Sequence, residues 1–269
     1  MTGLGFIGAG NMGEAMIRGV LSAKLLPADR VVVCDPAAGR TESLRHRFGV
    51  SVAPSVGELL AACDTVVIAL KPQVLPAVLA GISKDAARGK TFISIVAGVP
   101  ASVFERALGE GAKVVRTMPN TPVQVGMGST GIYFAAGVDP AARERVRAVF
   151  SSFGEVAEMP REELLDVVTA LSGSGPAYAF LFLEALADGA VRAGMERSEA
   201  YRLAAATLEG AARMVRETGK HPAELKDMVM SPGGTTAAGV AALERGAFRA
   251  TVMDAVASAW QRCRELSGQ

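Results

Sequence analysis

A glycine-rich segment near the start of the chain has the spacing of a phosphate-binding loop. Gly8, Gly10 and Gly13 follow a short apolar run and precede a segment whose apolar residues recur every three or four positions. Between a strand and a helix, the first glycine permits a tight turn, the second lets a pyrophosphate approach the backbone, and the third lets the helix pack closely. The N–H groups at the start of that helix attract the phosphates. The segment predicts dinucleotide binding.

The next apolar run, Val31–Asp35, ends in an acid. Asp35 lies roughly 20 residues after the glycines, where a carboxylate binds the adenosine ribose hydroxyls. Glycine is common in this chain, 30 of 269 residues, so the spacing alone would also fit a plain glycine-rich turn that binds nothing. The strand, the helix and Asp35 together favour the binding site.

Further candidates follow the carboxyl ends of the later strands, where open α/β sheets bind their ligands. Lys71 would place a cation near a ribose or phosphate, although a solvated strand end explains it equally well. Gly98 has no side chain, so a flat ring could lie against its backbone. Asn120 would either hydrogen-bond a carboxamide or be an ordinary turn residue beside proline. The residues predicted to bind the cofactor are Gly8, Gly10, Asn11, Met12, Asp35, Ala69, Lys71, Pro72, Ala97, Gly98 and Asn120.

The second half of the chain holds an unusual bend between two predicted helices. Ser231 and Pro232 are followed by two glycines and two threonines, and Thr236 opens the next helix. One hydroxyl would be an ordinary helix cap, but that explanation leaves the other hydroxyls and the glycines unexplained. A glycine turn into a helix exposes N–H groups to a carboxylate. The predicted substrate-binding residues are Ser231, Gly233, Gly234, Thr235 and Thr236, with Thr236 also predicted as catalytic through a hydrogen bond to a ring nitrogen.

The pattern of elements predicts an α/β fold with two domains. Strands alternate with helices up to Glu158, which indicates a parallel sheet with right-handed crossovers. Beyond Arg161 only helical patterns occur. We therefore expect a Rossmann-type doubly wound sheet over residues 1–160 and an all-α dimerisation domain over residues 161–269.

One predicted helix, Ala177–Ala193, is apolar nearly all the way round, which requires burial on every side. A small helical domain has little interior to hide it, so a subunit interface is the simplest solution. Glu184, Asp188 and Arg192 argue against a membrane span.

Composition excludes several classes of protein. The net charge is +1 with dispersed charges, which indicates neither nucleic-acid binding nor disorder. The three cysteines lack metal or disulfide spacing, and the chain opens on a strand rather than a leader, so a cytoplasmic protein without a metal is expected. His46 and His221 have no strong claim to a role. This shortage of acid–base residues favours reduction of a C=N bond, whose nitrogen can be protonated before hydride arrives.

The motifs, taken in order, resemble those of the Δ1-pyrroline-5-carboxylate reductases over nearly the whole chain. The glycine-rich segments are shared with many dehydrogenases, whereas Ser231–Thr236 after Leu225–Asp227 is far more specific. The matching segments are Gly5–Met12, Lys71-Pro72, Ala97–Val99, Met118–Pro122, Leu171–Tyr178, His221-Pro222, Leu225–Asp227 and Ser231–Thr236.

The resemblance implies that NAD(P)H reduces 1-pyrroline-5-carboxylate to L-proline. It implies that Ser231 and the backbone of Gly233–Thr236 hold the substrate carboxylate, with Thr236 near the imine nitrogen. It also implies a homodimer through the helical domain, often assembled further into a decamer. Family members that prefer NADPH often carry a polar pocket after the second strand, where this chain has Asp35. Asp35 would repel a 2′-phosphate and favours NADH, whereas Arg40 would favour NADPH.

Three alternatives stay open. A β-hydroxyacid dehydrogenase shares the outline but needs a helix-borne lysine, and Gly173–Ala193 contains none. A related imine reductase would use the same hydride chemistry. A dinucleotide-sensing protein that only binds its cofactor would leave Ser231–Thr236 without a role.

Overall fold

The computed structural model describes residues 3–266, which contain eight strands and thirteen α-helices. The strands are β1 (Leu4–Ile7), β2 (Val31–Cys34), β3 (Ser51–Val52), β4 (Thr65–Ile68), β5 (Thr91–Ser94), β6 (Lys113–Pro119), β7 (Gly128–Phe134) and β8 (Gly154–Glu158). The first seven helices are α1 (Asn11–Ser22), α2 (Ala38–Phe48), α3 (Val56–Ala62), α4 (Leu75–Ala80), α5 (Lys84–Ala87), α6 (Ala101–Leu108) and α7 (Pro140–Ser151). The remaining helices are α8 (Leu164–Val168), α9 (Gly175–Arg192), α10 (Arg197–Thr218), α11 (Pro222–Val229), α12 (Thr235–Arg245) and α13 (Phe248–Leu266), with a π-helical turn at Thr169–Gly173.

The strands form one sheet in the order β3-β2-β1-β4-β5-β6-β7-β8. The chain reverses its direction of winding between β1 and β4, which is the crevice where doubly wound sheets bind their ligands. The predicted fold class is confirmed, and each predicted strand is present.

The expectation of a wholly parallel sheet is wrong at one place, because β6 and β7 pair antiparallel. Only a short 3₁₀ turn, Thr121–Val125, joins these two strands. A parallel pair needs a crossover of a dozen or more residues, so a link this short can only reverse the chain.

Both faces of the sheet are covered. One apolar cluster includes Phe6, Met16 and Phe150, and a second includes Leu59 and Phe92 on the opposite face. Strands β1, β4 and β5 are buried along their whole length, as their continuous apolar sequences predict. This rigid centre fixes the loops that follow the strand ends.

The chain forms two compact units. Residues 3–174, together with 259–266, contain the sheet, and residues 175–258 form a helical unit. In the helical unit α9 packs against α10, and the Phe182 and Phe248 rings lie 5.5 Å apart. The predicted domain boundary at residues 160/161 stays a prediction.

Helix α9 exposes most of its apolar surface within the single chain. Only Ala187 is buried along its length, whereas Phe180 is 66% and Leu181 is 68% exposed. By length and composition alone, the stretch Leu164–Arg192 would suffice to cross a membrane. Monomeric proteins rarely expose apolar patches of this kind without a binding partner.

Candidate functional site

The glycine-rich loop has the geometry of a cradle. Gly8 has φ +105°, and a Cβ atom there would lie 2.4 Å from the Ala69 carbonyl oxygen. A Cβ on Gly13 would lie 2.8 Å from the Gly8 carbonyl oxygen, but one on Gly10 would meet nothing within 4 Å. Gly8 and Gly13 are therefore required by the fold, while Gly10 faces open space. Helix α1 begins beside that space, and no side chain caps it, so its first N–H groups are free for an anion.

Asp35 is held by two loops at the end of β2. One carboxylate oxygen accepts a hydrogen bond from the Ala9 N–H at 2.8 Å, and the other accepts from the Ala37 N–H at 2.8 Å. The pKa of the neighbouring Cys34 thiol is raised by burial first and then by the negative charges of Asp35 and Glu58. The carboxylate is thus anchored, and it adds to a negative field at this edge.

The other predicted cofactor residues lie beyond the ends of neighbouring strands. Ala69 follows β4, and its N–H donates to the Ile7 carbonyl of β1 at 2.8 Å. Lys71 and Pro72 are exposed just beyond it, and Lys71 forms no ion pair with any residue in the described part of the chain. Because β1 and β4 are adjacent in the sheet, these residues and the glycine loop share one edge.

The ends of β5 and β6 continue the same edge. Ala97 is exposed, and Gly98 has φ +72°, a left-handed conformation that favours glycine. Asn120 follows β6 but is 8% exposed, and the protein already engages both ends of its amide. These two hydrogen bonds leave one hydrogen of the Asn120 amide available to a ligand. That Asn120 binds a carboxamide stays a prediction.

The bend at Ser231–Thr236 leaves the start of α12 uncapped by any side chain. The Gly234 N–H donates to the Ser231 carbonyl at 3.0 Å, which closes the turn, and Gly233 has φ +69° with open space around it. A Cβ on Gly234 would lie 2.2 Å from Ser231 Oγ, so a side chain there would displace the serine hydroxyl. The two glycines therefore keep a hydroxyl and free N–H groups together at a helix N-terminus.

The predicted residues thus fall into two groups, each assembled within one unit. The cofactor candidates line the carboxyl edge of the sheet unit, and Ser231, Gly233, Gly234, Thr235 and Thr236 form one exposed or half-buried bend of the helical unit. The role of each of these residues in binding stays a prediction.

One buried ion pair near this edge was not foreseen. Arg116 of β6 donates to Glu162 Oε1 at 2.8 Å, and the same oxygen accepts from the Ala101 N–H at the start of α6 at 2.6 Å. The available signal was a charge within the apolar run of β6, because a buried arginine requires a partner. Its partner, 46 residues away, could not be identified from local pattern.

The comparisons with known proteins cover both units. Residues 162–266 match the family described as pyrroline-5-carboxylate reductase dimerisation, and residues 3–98 match the family described as NADP oxidoreductase, coenzyme F420-dependent.

Similar proteins align along nearly the full chain. The pyrroline-5-carboxylate reductase of Methanosarcina acetivorans is 42% identical over 98% of this chain and 97% of its own. The structure of a pyrroline-5-carboxylate reductase from Coxiella burnetii is 32% identical, with a TM-score of 0.93 and 98% coverage of both chains. The structure of Plasmodium falciparum pyrroline carboxylate reductase with NADP bound is 34% identical, with a TM-score of 0.88 and coverage of 99% of this chain and 98% of that one. The chain therefore belongs to the pyrroline-5-carboxylate reductase family.

Proposed function

We propose that this protein reduces the C=N bond of 1-pyrroline-5-carboxylate to form L-proline. The observation that carries the proposal is the uncapped bend Ser231–Thr236, which offers N–H groups and hydroxyls to a carboxylate in a chain that also has an open glycine cradle. Family membership over nearly the full length supports the same substrate.

Each group of residues has a defined task. NAD(P)H supplies the hydride when bound. The backbone at Gly10 and the first N–H groups of α1 would hold its pyrophosphate. Asp35 would bind the ribose hydroxyls, and Lys71 would provide a cation beside a ribose or phosphate. The flat ring would lie against the backbone of exposed Ala97 and half-buried Gly98.

The bend holds the substrate. Ser231 and the Gly233–Thr236 backbone bind the substrate carboxylate, and the Thr236 hydroxyl hydrogen-bonds the ring nitrogen. With the nitrogen protonated, the hydride that the bound cofactor would supply adds to the carbon of the C=N bond, which would leave a secondary amine and oxidised cofactor. This chemistry needs alignment of donor and acceptor more than a strong general base, which agrees with the shortage of histidine.

NADH is the preferred cofactor in this proposal. Two backbone N–H groups tether the Asp35 carboxylate, so it cannot rotate away from a 2′-phosphate, and Glu58 adds to the negative field. Arg40, exposed in the first turn of α2, is the side chain that would favour NADPH instead.

We also propose a cytoplasmic homodimer in which a partner covers the exposed apolar surface of α9, with further assembly to a decamer. The match to a dimerisation family over residues 162–266 supports the dimer. Light scattering at micromolar concentration checks it, and a mass equal to one chain would contradict the proposal.

The decisive experiment is a steady-state assay of NADH and NADPH oxidation with 1-pyrroline-5-carboxylate. We expect turnover with both cofactors and a higher kcat/KM with NADH. A 3-hydroxyacid with oxidised cofactor serves as the control for dehydrogenase activity. Turnover of the hydroxyacid alone would indicate a β-hydroxyacid dehydrogenase, and cofactor binding without any turnover would indicate a sensing protein.

A further inference from the structure

The turn that precedes α9 contains a carbonyl group without its usual helical partner. At Thr169–Gly173 the chain is π-helical, and the Ser174 N–H donates to the Thr169 carbonyl at 2.8 Å. In an α-helix the Ser172 carbonyl would accept from the N–H four residues later. That residue is Pro176, which has no N–H. The Ser172 carbonyl therefore needs a hydrogen-bond donor other than the N–H group of residue 176.

Asn120 supplies that donor. Its Nδ2 donates to the Ser172 carbonyl at 3.0 Å, and its Oδ1 accepts from the Ser129 N–H at 2.8 Å. The reverse orientation of the amide would place N–H against N–H and oxygen against oxygen, so both partners specify the observed one. One side chain thus joins the end of β6, the start of β7 and the π-helical turn.

The turn packs tightly where Asn120 holds it. A Cβ on Gly173 would lie 3.1 Å from Met118 Cε, and a Cβ on Gly131 of β7 would lie 2.8 Å from the Val168 side chain. Small residues on both sides therefore bring the turn against β6 and β7. Any lateral shift of the turn would move the strand end that carries Asn120.

We propose that Asn120 is a positioning residue of the reaction: by bonding the Ser172 carbonyl that Pro176 leaves without a partner, it fixes the π-helical turn to the end of β6. The proposal rests on the proposed function, because the carboxyl end of β6 lies on the sheet edge assigned to the nicotinamide. Asn120 then acts through the backbone it holds rather than by touching the cofactor.

The test compares three full-length variants with the wild-type enzyme. Asn120→Ala removes both hydrogen bonds. Pro176→Ala alone is the control, and the double variant Asn120→Ala/Pro176→Ala restores a backbone N–H that can bond the Ser172 carbonyl. Asn120→Asp, which is isosteric but cannot donate, replaces the alanine variant if that one does not fold. The measurements are kcat, the Kd of NADH from direct titration, and hydrogen exchange over residues 169–175.

For Asn120→Ala we expect kcat to fall about 10- to 100-fold, because small displacements of reacting groups are costly. The Kd of NADH should change by less than about twofold, and exchange over the turn should accelerate. Pro176→Ala should retain wild-type kcat, and the double variant should recover part of both the rate and the protection.

Two results would overturn the inference. A rise of about tenfold or more in the Kd of NADH, with unchanged exchange, would make Asn120 a cofactor ligand instead. Unchanged kcat and unchanged exchange would remove it from any positioning role. Absence of turnover by the wild-type chain would overturn the proposed function itself, whereas the exchange measurement tests the tie between Asn120 and the turn without substrate.

Discussion

The Asp35 carboxylate accepts a hydrogen bond from the backbone N–H of Ala9 at 2.8 Å, although 26 residues separate the two in the chain. The carboxylate after the second strand thus holds the glycine-rich loop in place, in addition to the ribose-binding role that we propose for it. Asp35 therefore has an observed role, which is to hold the loop, and a proposed role, which is to repel a 2′-phosphate. Substitutions at Asp35 separate these functions.

Replacing Asp35 by serine should raise the ratio of kcat/KM for NADPH to that for NADH by about tenfold, because a fixed negative charge is removed. Affinity for both cofactors should fall somewhat, since the Ala9 and Ala37 N–H groups lose an acceptor. Asp35→Asn is the matched control, because it removes the charge and keeps one acceptor oxygen. Steady-state kinetics with both cofactors measure the ratio, and an unaltered ratio in both variants would assign cofactor choice elsewhere.

Alanine substitutions at two positions of the glycine-rich loop should have different effects, one on the stability of the fold and the other on the affinity for NADH. Gly8→Ala should destabilise the fold by ~1–3 kcal/mol, because Gly8 has a positive φ and an added Cβ would clash with the Ala69 carbonyl oxygen. Gly10→Ala should change stability little, since its backbone is extended and its surroundings are open. It should nevertheless weaken NADH binding about tenfold by filling the space for the pyrophosphate. Thermal unfolding and fluorescence titration of NADH provide the two measurements, and full NADH affinity in Gly10→Ala would argue against the cradle.

Removing the Thr236 hydroxyl should cost about 1–3 kcal/mol of transition-state binding, or roughly 5- to 150-fold in kcat/KM, because one hydrogen bond to the substrate is lost. Thr236→Ser is the control and should keep most of the activity, since it retains the hydroxyl. Initial rates at varied pyrroline-5-carboxylate concentration decide the matter. An alanine variant with wild-type kcat/KM would exclude Thr236 from the site.

Truncating Glu162 should destabilise the protein by about 2–4 kcal/mol, because the side chain of Arg116 is only 9% exposed and would lose its counter-charge. Replacing both partners, as in Arg116→Met with Glu162→Met, should be less harmful than Glu162→Ala alone. Urea unfolding at one fixed protein concentration compares the three chains. If the double variant had a lower free energy of unfolding than Glu162→Ala, the ion pair itself would contribute net stability, and the cost of Glu162→Ala would not come only from an unpaired buried charge.

Asp139 should make stability depend on pH in the acid range. The Lys113 side-chain hydrogen bond, and then the Ala142 backbone N–H, lower the pKa of Asp139 to about 2. Between pH 4 and pH 2 the unfolded chain binds this proton more readily than the folded one, so stability falls as pH falls. The contribution is complete above about pH 4 and absent below about pH 2.

Asp139→Asn isolates that charge, because asparagine still caps α7. The difference in unfolding midpoint between wild type and variant should be largest near pH 5 and should vanish near pH 2. Denaturant titrations across this range measure it. A difference that is independent of pH would show that Asp139 acts only as a cap.

The sequence by itself determined every feature that depends on neighbouring residues. The glycine cradle, the strand cores, the helical second half and the bend at Ser231–Thr236 each arise from residues within a few turns of one another, because backbone conformation and hydrophobic period are local properties. The tertiary structure alone decided the contacts between distant segments. These include the Asp35 bond to Ala9, the Asn120 bond to Ser172 and the Glu162 bond to Ala101, which span 26 to 61 residues. Such contacts depend on the order of strands in the sheet and on which buried polar groups lack a local partner, and both are set only when the whole chain has packed.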